Sequence, residues 1–504
     1  MAKSAGWWIA GSLILSIAGC GGGGGGNDTT DTDTDTSTPS QPDLTQRIEP
    51  YDTLTRQSAQ ADSKARAQGT QAEQAARGEA DSRFIRKVAL AAPAASVVQK
   101  MEAAADAARP GVPIQIAVKR DVAATATVQL TQALLDWQGT ASGGQLAALA
   151  FDSPSALGVR LGVLVMQLPS GTKLRFYAQA GGTATEVSAA ELAAQAERIR
   201  AGGGDDQAAR TYWSPDFGGE QTVMEIEVPA GAQVSGVQLA VPRLSHFTHS
   251  AAQMETLVEA KAGSGSCNID AMCQPDYLSQ ARSVARMRFT HEDGKGYYCT
   301  GTLLNDAQSS GTPYFLTANH CINTQAQASS LMTDWFYRSS ACNSGTAGSG
   351  VQSLTRGATL LYATASTDTS FLSLNEAVPD GVVYAGSFFG GAAAAGSELV
   401  GLHHPEGDLE KISFGVLQGL GLCSSDTCGG SSDSGATFLE VKWSQGTTEG
   451  GSSGSAVFYG IGGQRYVTGQ LYGGSASCSN PNGSDFYGRF DLPYKEKLKE
   501  WLNP

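Results

Sequence analysis

The sequence predicts an all-β domain at its carboxyl end, an α+β domain before it, and a low-complexity segment near its start. Three observations support this division. Eight of the nine cysteines follow residue 266. The same region consists of short apolar stretches separated by Gly, Ser and Asn, whereas residues 21–36 contain only Gly, Asn, Asp and Thr. The length of 504 residues accommodates about three domains.

The composition is acidic and moderately apolar. Lys and Arg number 34 against 48 Asp and Glu, which gives a net charge of −14, and apolar residues make up 41% of the chain. Binding to nucleic acid requires clustered cations against the phosphates, so this balance argues against a nucleic-acid partner. The apolar fraction is sufficient for a sizeable core.

Residues 1–19 have the plan of a secretory signal peptide, with Lys3 followed by an apolar run over residues 7–18. This run is shorter than the roughly 20 residues that a membrane-spanning helix needs. The stretch from Ile17 to Cys20 resembles the bacterial lipobox, in which the cysteine is acylated. We therefore expect an exported cell-surface or outer-membrane lipoprotein, attached to the membrane through Cys20. An ordinary signal peptide followed by a chance cysteine is the alternative.

Two regions separate Cys20 from the cysteine-rich domain. Residues 20–84 predict a disordered tether, because Gly and alternating Thr and Asp cannot bury apolar area. Residues 85–261 predict an α+β domain, with a helix that begins at a capping box of Ser188 and Glu191. Strands are predicted from alternating apolar residues at 114–118, 159–168 and 224–228. In this domain His246 and His249 lie three residues apart, and we favour a packing role over a metal site.

The cysteines predict a disulfide framework. Their number in the last region is even, and a signal peptide implies an oxidising compartment. Zinc is the competing interpretation, but paired C-x₂-C units are missing from the spacing. Eight cysteines allow 105 pairings, so the residues alone leave the connectivity open. The eight are Cys267, Cys273, Cys299, Cys321, Cys342, Cys423, Cys428 and Cys478.

The cysteine-rich region also predicts the short strands of an all-β domain and a final helix over Pro493–Leu502. The predicted strands include Tyr314–Thr317, Phe371–Leu374, Phe438–Trp443, Ala456–Tyr459 and Tyr466–Leu471.

Three local sequences in this region suggest nucleophilic catalysis. His320 follows a strand and precedes a cysteine, Asp368 begins an apolar strand, and Ser453 lies in a glycine-rich turn. A serine hydroxyl needs a base, the base needs an orienting carboxylate, and the oxyanion needs backbone N–H groups, here those of Gly451 and Ser453. Each piece alone has a plainer structural explanation. The order His, Asp, Ser is that of chymotrypsin-type enzymes and differs from subtilisins and α/β-hydrolases.

With these residues in view, the region from about residue 263 to 502 resembles the bacterial lysyl endopeptidase family, a branch of trypsin-like serine proteases. The resemblance implies a chymotrypsin-like double β-barrel with a C-terminal helix over residues 262–504. It implies that Ser453 attacks the scissile carbonyl, His320 moves the proton and Asp368 orients His320. The matching stretches are Gly265–Asp270, Cys299–Leu303, Tyr314–Cys321, His403–Pro405, Gly451–Ser455, Gly469–Gly474 and Ser484–Arg489.

The resemblance also implies a substrate preference. Asp485 matches the aspartate at the base of the primary pocket, so peptide substrates are expected to be cut after Lys, with Arg left open. Tyr472, Gly473 and Gly474 are expected to line the same pocket. A turn-capping role is the alternative for Asp485. Tyr472 replaces a histidine of the family, and a loop with Cys423 and Cys428 replaces one with a tryptophan, so strict lysine preference is open.

The family pattern further implies the pairs Cys267–Cys478, Cys273–Cys342 and Cys299–Cys321, which leaves Cys423 and Cys428 to pair locally. It favours a structural role over metal binding for His403 and His404. No metal or cofactor is expected.

Residues 80–260 resemble the family's propeptide, and Lys261 precedes the match to the mature amino terminus. We therefore expect self-processing after Lys261. Ser452 stands where trypsin-type activation uses an aspartate, so the prodomain is expected to assist folding or to block the cleft rather than to act through a new ion pair. The prodomain is thus an expected partner, and release of the protease domain from it is left open. The opposing hypothesis is a non-catalytic surface lipoprotein that uses the protease fold for binding.

Overall fold

The computed structural model describes residues 42–54, 80, 82–106, 111–178, 184–248, 264–425 and 427–504. Cys20, His249 and Lys261 lie outside these ranges. The prediction of a mainly β protein is confirmed, since short helices only interrupt the succession of strands. Among the described helices, none combines the length and the apolar character needed to cross a bilayer.

The C-terminal region, residues 264–504, is built from short strands. They are β13 Ile269–Asp270, β14 Val284–Thr290, β15 Gly296–Leu304, β16 Tyr314–Ala318, β17 Met332–Trp335, β18 Gln352–Leu354, β19 Ala358–Thr364, β20 Thr369–Leu374, β21 Val383–Tyr384, β22 Gly386–Phe388, β23 Glu398–His403, β24 Lys411–Ser424, β25 Thr427–Ser431, β26 Phe438–Gln445, β27 Ala456–Ile461, β28 Gln464–Gly474 and β29 Asp485–Arg489.

Helical turns in this region are short. Those before residue 410 are Ala271–Cys273, Pro275–Tyr277, Leu278–Ala281, Gln325–Ser329 and Pro405–Gly407. The chain ends in the successive helical segments Asp491–Pro493, Tyr494–Leu498 and Lys499–Leu502, where a helix was predicted. Leu498 and Leu502 are buried in the core, as one apolar side of that helix requires.

Six of these strands close on themselves. Strand β23 pairs with β24, β24 with β26, β26 with β29, β29 with β28, β28 with β27, and β27 returns to β23. Every second side chain of such strands points inwards, and Leu399, Leu417, Val441, Val457 and Leu471 fill the interior.

A second sheet lies earlier in the same region. Strand β15 pairs with β14 and β16, β16 pairs with β20, and β20 pairs with β19. Its core contains Met287, Phe289, Phe315, Trp335 and Leu372, and the ring of Phe315 meets that of Trp335 edge-on at 6.0 Å.

The middle region, residues 82–248, combines strands with four α-helices among its described residues. The strands are β3 Ile85–Ala89, β4 Ile114–Asp121, β5 Gln138–Gly139, β6 Gln145–Asp152, β7 Gly158–Gln167, β8 Lys173–Tyr177, β9 Thr185–Ser188, β10 Thr211–Trp213, β11 Gln221–Val228 and β12 Gln238–Phe247. The α-helices are Ala95–Asp106, Val128–Gln132, Ala189–Ala201 and Asp206–Arg210, and 3-10 turns cover Ser82–Phe84, Ala123–Thr125 and Val234–Gly236. The predicted capping box is present, because Ser188 and Glu191 cap the third helix reciprocally.

One sheet runs from the middle region into the C-terminal region. Strand β4 pairs antiparallel with β15, with Ala117 opposite Gly296 and Ile114 opposite Tyr298. The middle region therefore extends the sheet that carries the segment before Cys299.

Buried charges cross the same boundary. Arg160 of the middle region is 1% exposed and donates to the hydroxyl of Thr290 at 3.0 Å and to the carbonyl of Ser330 at 2.8 Å. Burial lowers the pKa of Arg160 to about 10. Arg288 pairs with Asp216 at 3.1 Å, and both side chains are almost fully buried. Arg288 also pairs with Asp334 at 2.9 Å, so it is removal of Arg288 that would leave the buried Asp216 without its ion pair.

Part of the predicted disordered tether, residues 20–84, is corrected by the structure, while residues 20–41 and 55–79 lie outside the described ranges. Residues 42–54, here called the amino-terminal segment, form β1 Arg47–Ile48 and β2 Tyr51–Asp52. These strands pair with β22 and β21 of the C-terminal region. The prediction failed because the polar composition is that of a linker, while the pairing partners lie more than 300 residues away.

Candidate active site

Neighbouring strands bring His320 and Asp368 together. His320 follows β16, Asp368 precedes β20, and the two strands pair with Ala318 opposite Thr369. Nδ1 of His320 lies 2.7 Å from Oδ2 of Asp368, and the backbone N–H of His320 donates to Oδ1 at 2.9 Å. Since the carboxylate accepts, Nδ1 carries the proton and Nε2 is left with its lone pair. Asp368 has a φ of 50°, a conformation that this tight turn imposes.

A disulfide fastens the turn that carries the histidine. Cys299 on β15 is joined to Cys321, the residue after His320. Cys299, His320 and Cys321 come close enough to resemble a metal cluster. The two sulfurs are bonded to each other, so they are not available as thiolate ligands.

Ser453 lies in a turn that requires glycine on both sides. Gly451 has a φ of 88° and Gly454 a φ of 82°. A Cβ on Gly451 would lie 2.8 Å from the carbonyl oxygen of His404, and one on Gly454 would lie 2.6 Å from that of Thr300. The close approach of Gly454 to β15 and β16 places Ser453 beside the turn that holds His320.

Thr300 fixes the same turn from β15. Its N–H donates to the carbonyl of Ser453 at 2.8 Å, and its hydroxyl donates to the carbonyl of Gly451 at 2.9 Å. Both carbonyls are thereby turned away from the cleft. The N–H groups of Gly451 and Ser453 have no acceptor among the described residues, which is the condition for binding an oxyanion.

Nε2 of His320 is buried and has no hydrogen-bond partner within the described residues. The structure therefore does not form a hydrogen bond between Ser453 and His320. Such contacts are often long without substrate and tighten when it binds.

A buried chain of hydrogen bonds holds Ser452, the residue before Ser453. Ser413 donates to the carbonyl of Thr447 at 2.7 Å, so it accepts from Nε2 of His403 at 3.0 Å. Nδ1 of His403 then accepts from the hydroxyl of Ser452 at 2.8 Å. Burial lowers the pKa of His403 to about 3, which keeps the ring neutral. His404 donates from Nδ1 to the carbonyl of Asp408 at 2.9 Å, and burial lowers its pKa to about 3 as well.

Asp485 lies at the start of β29 and is 1% exposed. Its Oδ2 accepts from Nε1 of Trp443 at 2.7 Å and from the hydroxyl of Thr448 at 2.6 Å. Oδ1 is buried without a hydrogen-bond partner in the described ranges. Burial raises the pKa of Asp485 to about 6, against the opposing effects of the bonds from Thr448 and Trp443 and of the backbone of Ala476.

The other predicted pocket residues lie between Asp485 and His320. Gly474 pairs with Asp485, and a Cβ on Gly474 would clash with that carboxylate. Gly473 has a φ of 141°, which only glycine adopts readily. The ring of Tyr472 meets His320 edge-on, with centroids 5.7 Å apart, and its hydroxyl donates to the carbonyl of Ser425.

The remaining disulfides are Cys423–Cys428, Cys267–Cys478 and Cys273–Cys342. The first closes the hairpin of β24 and β25 beside Tyr472. The second fixes the start of the C-terminal region, where the N–H of Gly265 also donates to Glu449 at 2.8 Å.

Comparison with known proteins decides the family. The profile "Lysyl endopeptidase, C-terminal domain" matches residues 262–488, and "Lysyl endopeptidase N-terminal domain" matches residues 89–248. The Lysyl endopeptidase of Pseudomonas aeruginosa is 33% identical over 417 residues, which cover 81% of this chain and 85% of that protein. The chain belongs to the lysyl endopeptidase family. It is a serine endopeptidase.

Solved proteases are more distant from this lysyl endopeptidase family member. The active form of an M. tuberculosis protease is 16% identical with a TM-score of 0.31. The match covers 48% of this chain and 88% of the M. tuberculosis chain. The MamO protease domain from Magnetospirillum magneticum is 10% identical with a TM-score of 0.30. The match covers 44% of this chain and 98% of the MamO chain.

Several residues of this lysyl endopeptidase family site escaped the sequence analysis. Thr300 and Ser413 act through hydrogen bonds between elements that are distant in sequence, and no local pattern marks them. Trp443 and Thr448 carry no local signal either. Both donate hydrogen bonds to the buried carboxylate of Asp485. The only sequence signal for them is the expected burial of Asp485, because a buried carboxylate needs hydrogen-bond donors.

Proposed function

We propose that this endopeptidase cuts after Lys through a triad of His320, Asp368 and Ser453. The observation that carries the proposal is the double attachment of His320 to Asp368, through Nδ1 at 2.7 Å and the backbone N–H at 2.9 Å, beside a glycine-flanked serine. Nε2 of His320 takes the proton of Ser453 as its Oγ attacks the scissile carbonyl carbon. The same proton passes to the leaving amine, and water then hydrolyses the acyl-enzyme by the reverse sequence.

The oxyanion of each tetrahedral intermediate is stabilised by the N–H groups of Gly451 and Ser453. Thr300 supports this role because it engages the carbonyls of the same two residues and thereby fixes the peptide planes. Donors that are already oriented require no reorganisation when the charge develops.

Asp485 selects the cationic side chain of the substrate. Its unpaired Oδ1 can accept an ammonium group, while Trp443 and Thr448 hold Oδ2 in place. Gly473 and Gly474 leave room for the substrate, and Tyr472 forms the wall beside His320. A guanidinium is bulkier than an ammonium, so we rank Lys above Arg.

Residues 85–261 act as a prodomain that covers the cleft. The N–H of Gly111 donates to the carbonyl of Tyr472 at 3.1 Å, and a Cβ on Gly450 would lie 3.3 Å from Cδ1 of Ile114. Residues 111–114 thus lie across the mouth of the site, and β4 continues along β15. Autocatalytic cleavage after Lys261 would leave 504 − 261 = 243 residues. Export as a lipoprotein through Cys20 completes the proposal.

Cleavage-site mapping on a denatured protein digest tests this proposal. We expect cuts after Lys, fewer after Arg, and none with Ser453→Ala. The exposed Ser479→Ala serves as the matched control and should cut normally. Cuts without preference for basic residues would overturn the role of Asp485, and undiminished cutting by Ser453→Ala would overturn the triad.

A further inference from the structure

The amino-terminal segment binds the C-terminal region as an added edge strand. Arg47 and Ile48 pair antiparallel with Phe388 and Ser387 of β22. Four residues further on, β2 pairs with β21 in the same sense. Two further hydrogen bonds, both 3.0 Å long, extend the pairing towards residue 43. The N–H of Asp43 donates to the carbonyl of residue 390, and the N–H of residue 389 donates to the carbonyl of Gln46. Backbone pairing of this kind is how sheet edges bind extended peptides.

The C-terminal region leaves space for this backbone. A Cβ on Gly386 would lie 2.6 Å from the carbonyl oxygen of Ile48, and one on Gly390 would clash with the carbonyl of Asp43. Glycine at both positions permits a close approach that any side chain would prevent.

An apolar anchor sits at the centre of the segment. Ile48 is 4% exposed and belongs to the core that contains Leu304 and Val467. The ring of Tyr51 also packs on that of Tyr384, with centroids 5.8 Å apart. Ile48 therefore completes a core formed otherwise by residues of the C-terminal region.

Polar anchors surround Ile48. Asp52 forms an ion pair with Arg282, which contacts both carboxylate oxygens, one of them at 3.1 Å. Glu49 accepts from the hydroxyl of Tyr466 at 2.6 Å, and its carbonyl accepts from the amide of Asn305 at 3.0 Å. Contacts that are directional and partly buried specify one register for the strand.

The strand pairings and hydrogen bonds named here join the segment to residues between 282 and 466 of the C-terminal region. The matched N-terminal domain of the family begins only at residue 89. The segment is thus a binding element separate from the middle region.

We propose that residues 42–54 are a docking segment, which holds the C-terminal region non-covalently to the part of the chain that precedes residue 42. A cut between residues 55 and 79 then leaves the amino-terminal piece bound. This stretch contains Arg56, Lys64, Arg66 and Arg77, which are bonds that a protease specific for basic residues can attack. The docking itself does not depend on the proposed catalysis.

A controlled cut in the full chain tests the docking. The chain carries Ser453→Ala to prevent self-cleavage, a C-terminal affinity tag, and the recognition sequence of a site-specific protease inserted between residues 66 and 67. After the cut, the tagged part is captured in detergent, and mass spectrometry detects the amino-terminal fragment. We expect the fragment to be retained, and its complete loss in the wash would overturn the proposal.

Variants on both sides of the contact locate the binding. Ile48→Asp places a charge in the core and should increase the dissociation rate of the fragment about tenfold or more. Leu44→Ser, at a position that is 42% exposed, is the control and should leave the rate unchanged. Gly386→Ala should also accelerate dissociation. Gly419→Ala should not, because a Cβ at residue 419 would lie in open space. Equal rates for Ile48→Asp and Leu44→Ser would show that this strand is not the binding element, and thermal unfolding of the uncut chains verifies their fold.

Discussion

The hydroxyl of Ser452 donates to Nδ1 of His403 at 2.8 Å, immediately beside the proposed nucleophile. Ser452 stands at the position where trypsin-type activation uses a charged aspartate. The neutral chain through His403 therefore fixes the turn of Ser453 by means that need no newly formed amino terminus.

His403→Leu should lower kcat about ten- to a hundredfold with little change in KM. The variant leaves the O–H of Ser452 without its acceptor in a buried site, at a cost of about 1–3 kcal/mol that loosens the oxyanion turn. Steady-state kinetics measures the split, and His403→Gln, which retains a donor and an acceptor, should restore part of kcat. An unchanged kcat in a stable His403→Leu protein would contradict this role.

Binding of a small alkylammonium inhibitor should weaken as the pH falls through about 6. The pKa of Asp485 is raised to about 6, so its carboxyl gains a proton below that pH and loses its attraction for a cation. The inhibition constant measured from pH 4.5 to 8 should rise towards low pH. Asp485→Asn should bind weakly at every pH, and the exposed Asp276→Asn should behave as the unaltered protein. A pH-independent constant in the unaltered protein would exclude the carboxylate.

The stability of the folded chain should change in the opposite direction. Because the folded-state pKa of Asp485 is raised, the protonated form favours folding, and this contribution is lost as the pH rises from about 4 to above 6. The free energy of unfolding, measured by urea denaturation, should therefore fall less between about pH 4 and 6 in Asp485→Asn than in the unaltered protein. A fall as steep as that of Asp276→Asn would count against a raised pKa.

Gly454→Ala should reduce activity severely, whereas Gly460→Ala should not. The new Cβ would lie 2.6 Å from the carbonyl of Thr300, and the φ of 82° is unfavourable for alanine. Gly460 has open space around it. The labelling rate of Ser453 by a phosphonate reports the geometry directly, and equal rates for both variants would refute the requirement for glycine.

Loss of Cys299–Cys321 should affect both stability and catalysis. The bond spans 22 residues, which corresponds to about 3 kcal/mol in the chain-entropy account, and it restrains the turn of His320. The control is Cys423–Cys428, which spans 5 residues and corresponds to about 2 kcal/mol. Double Cys→Ser variants of each pair should both lose stability, but only the first should lose most of kcat. Similar kcat values would assign the first bond a purely stabilising role.

Local sequence was sufficient where structure depends on neighbouring residues. The strand before His320, the glycine turn of Ser453 and the capping box of Ser188 are each contained in a few consecutive residues. Pairings between distant strands were not predictable in this way. The register of β4 on β15 and the docking of Ile48 depend on partners that are 179 or more residues away, and the composition of residues 42–54 gave no sign of burial.

The pairing of β4 with β15 has a mechanical consequence. Force along an antiparallel pair loads its hydrogen bonds together in shear, whereas force across one end breaks them in succession. The pair connects Ile114–Ala117 with Gly296–Tyr298, so lateral traction on the chain beyond Asp121 would peel the contact from the Ala117 end. The hydrogen bonds would then break one after another towards the catalytic residues. The contact of Ile114 with Tyr298, nearest the mouth of the site, would break last.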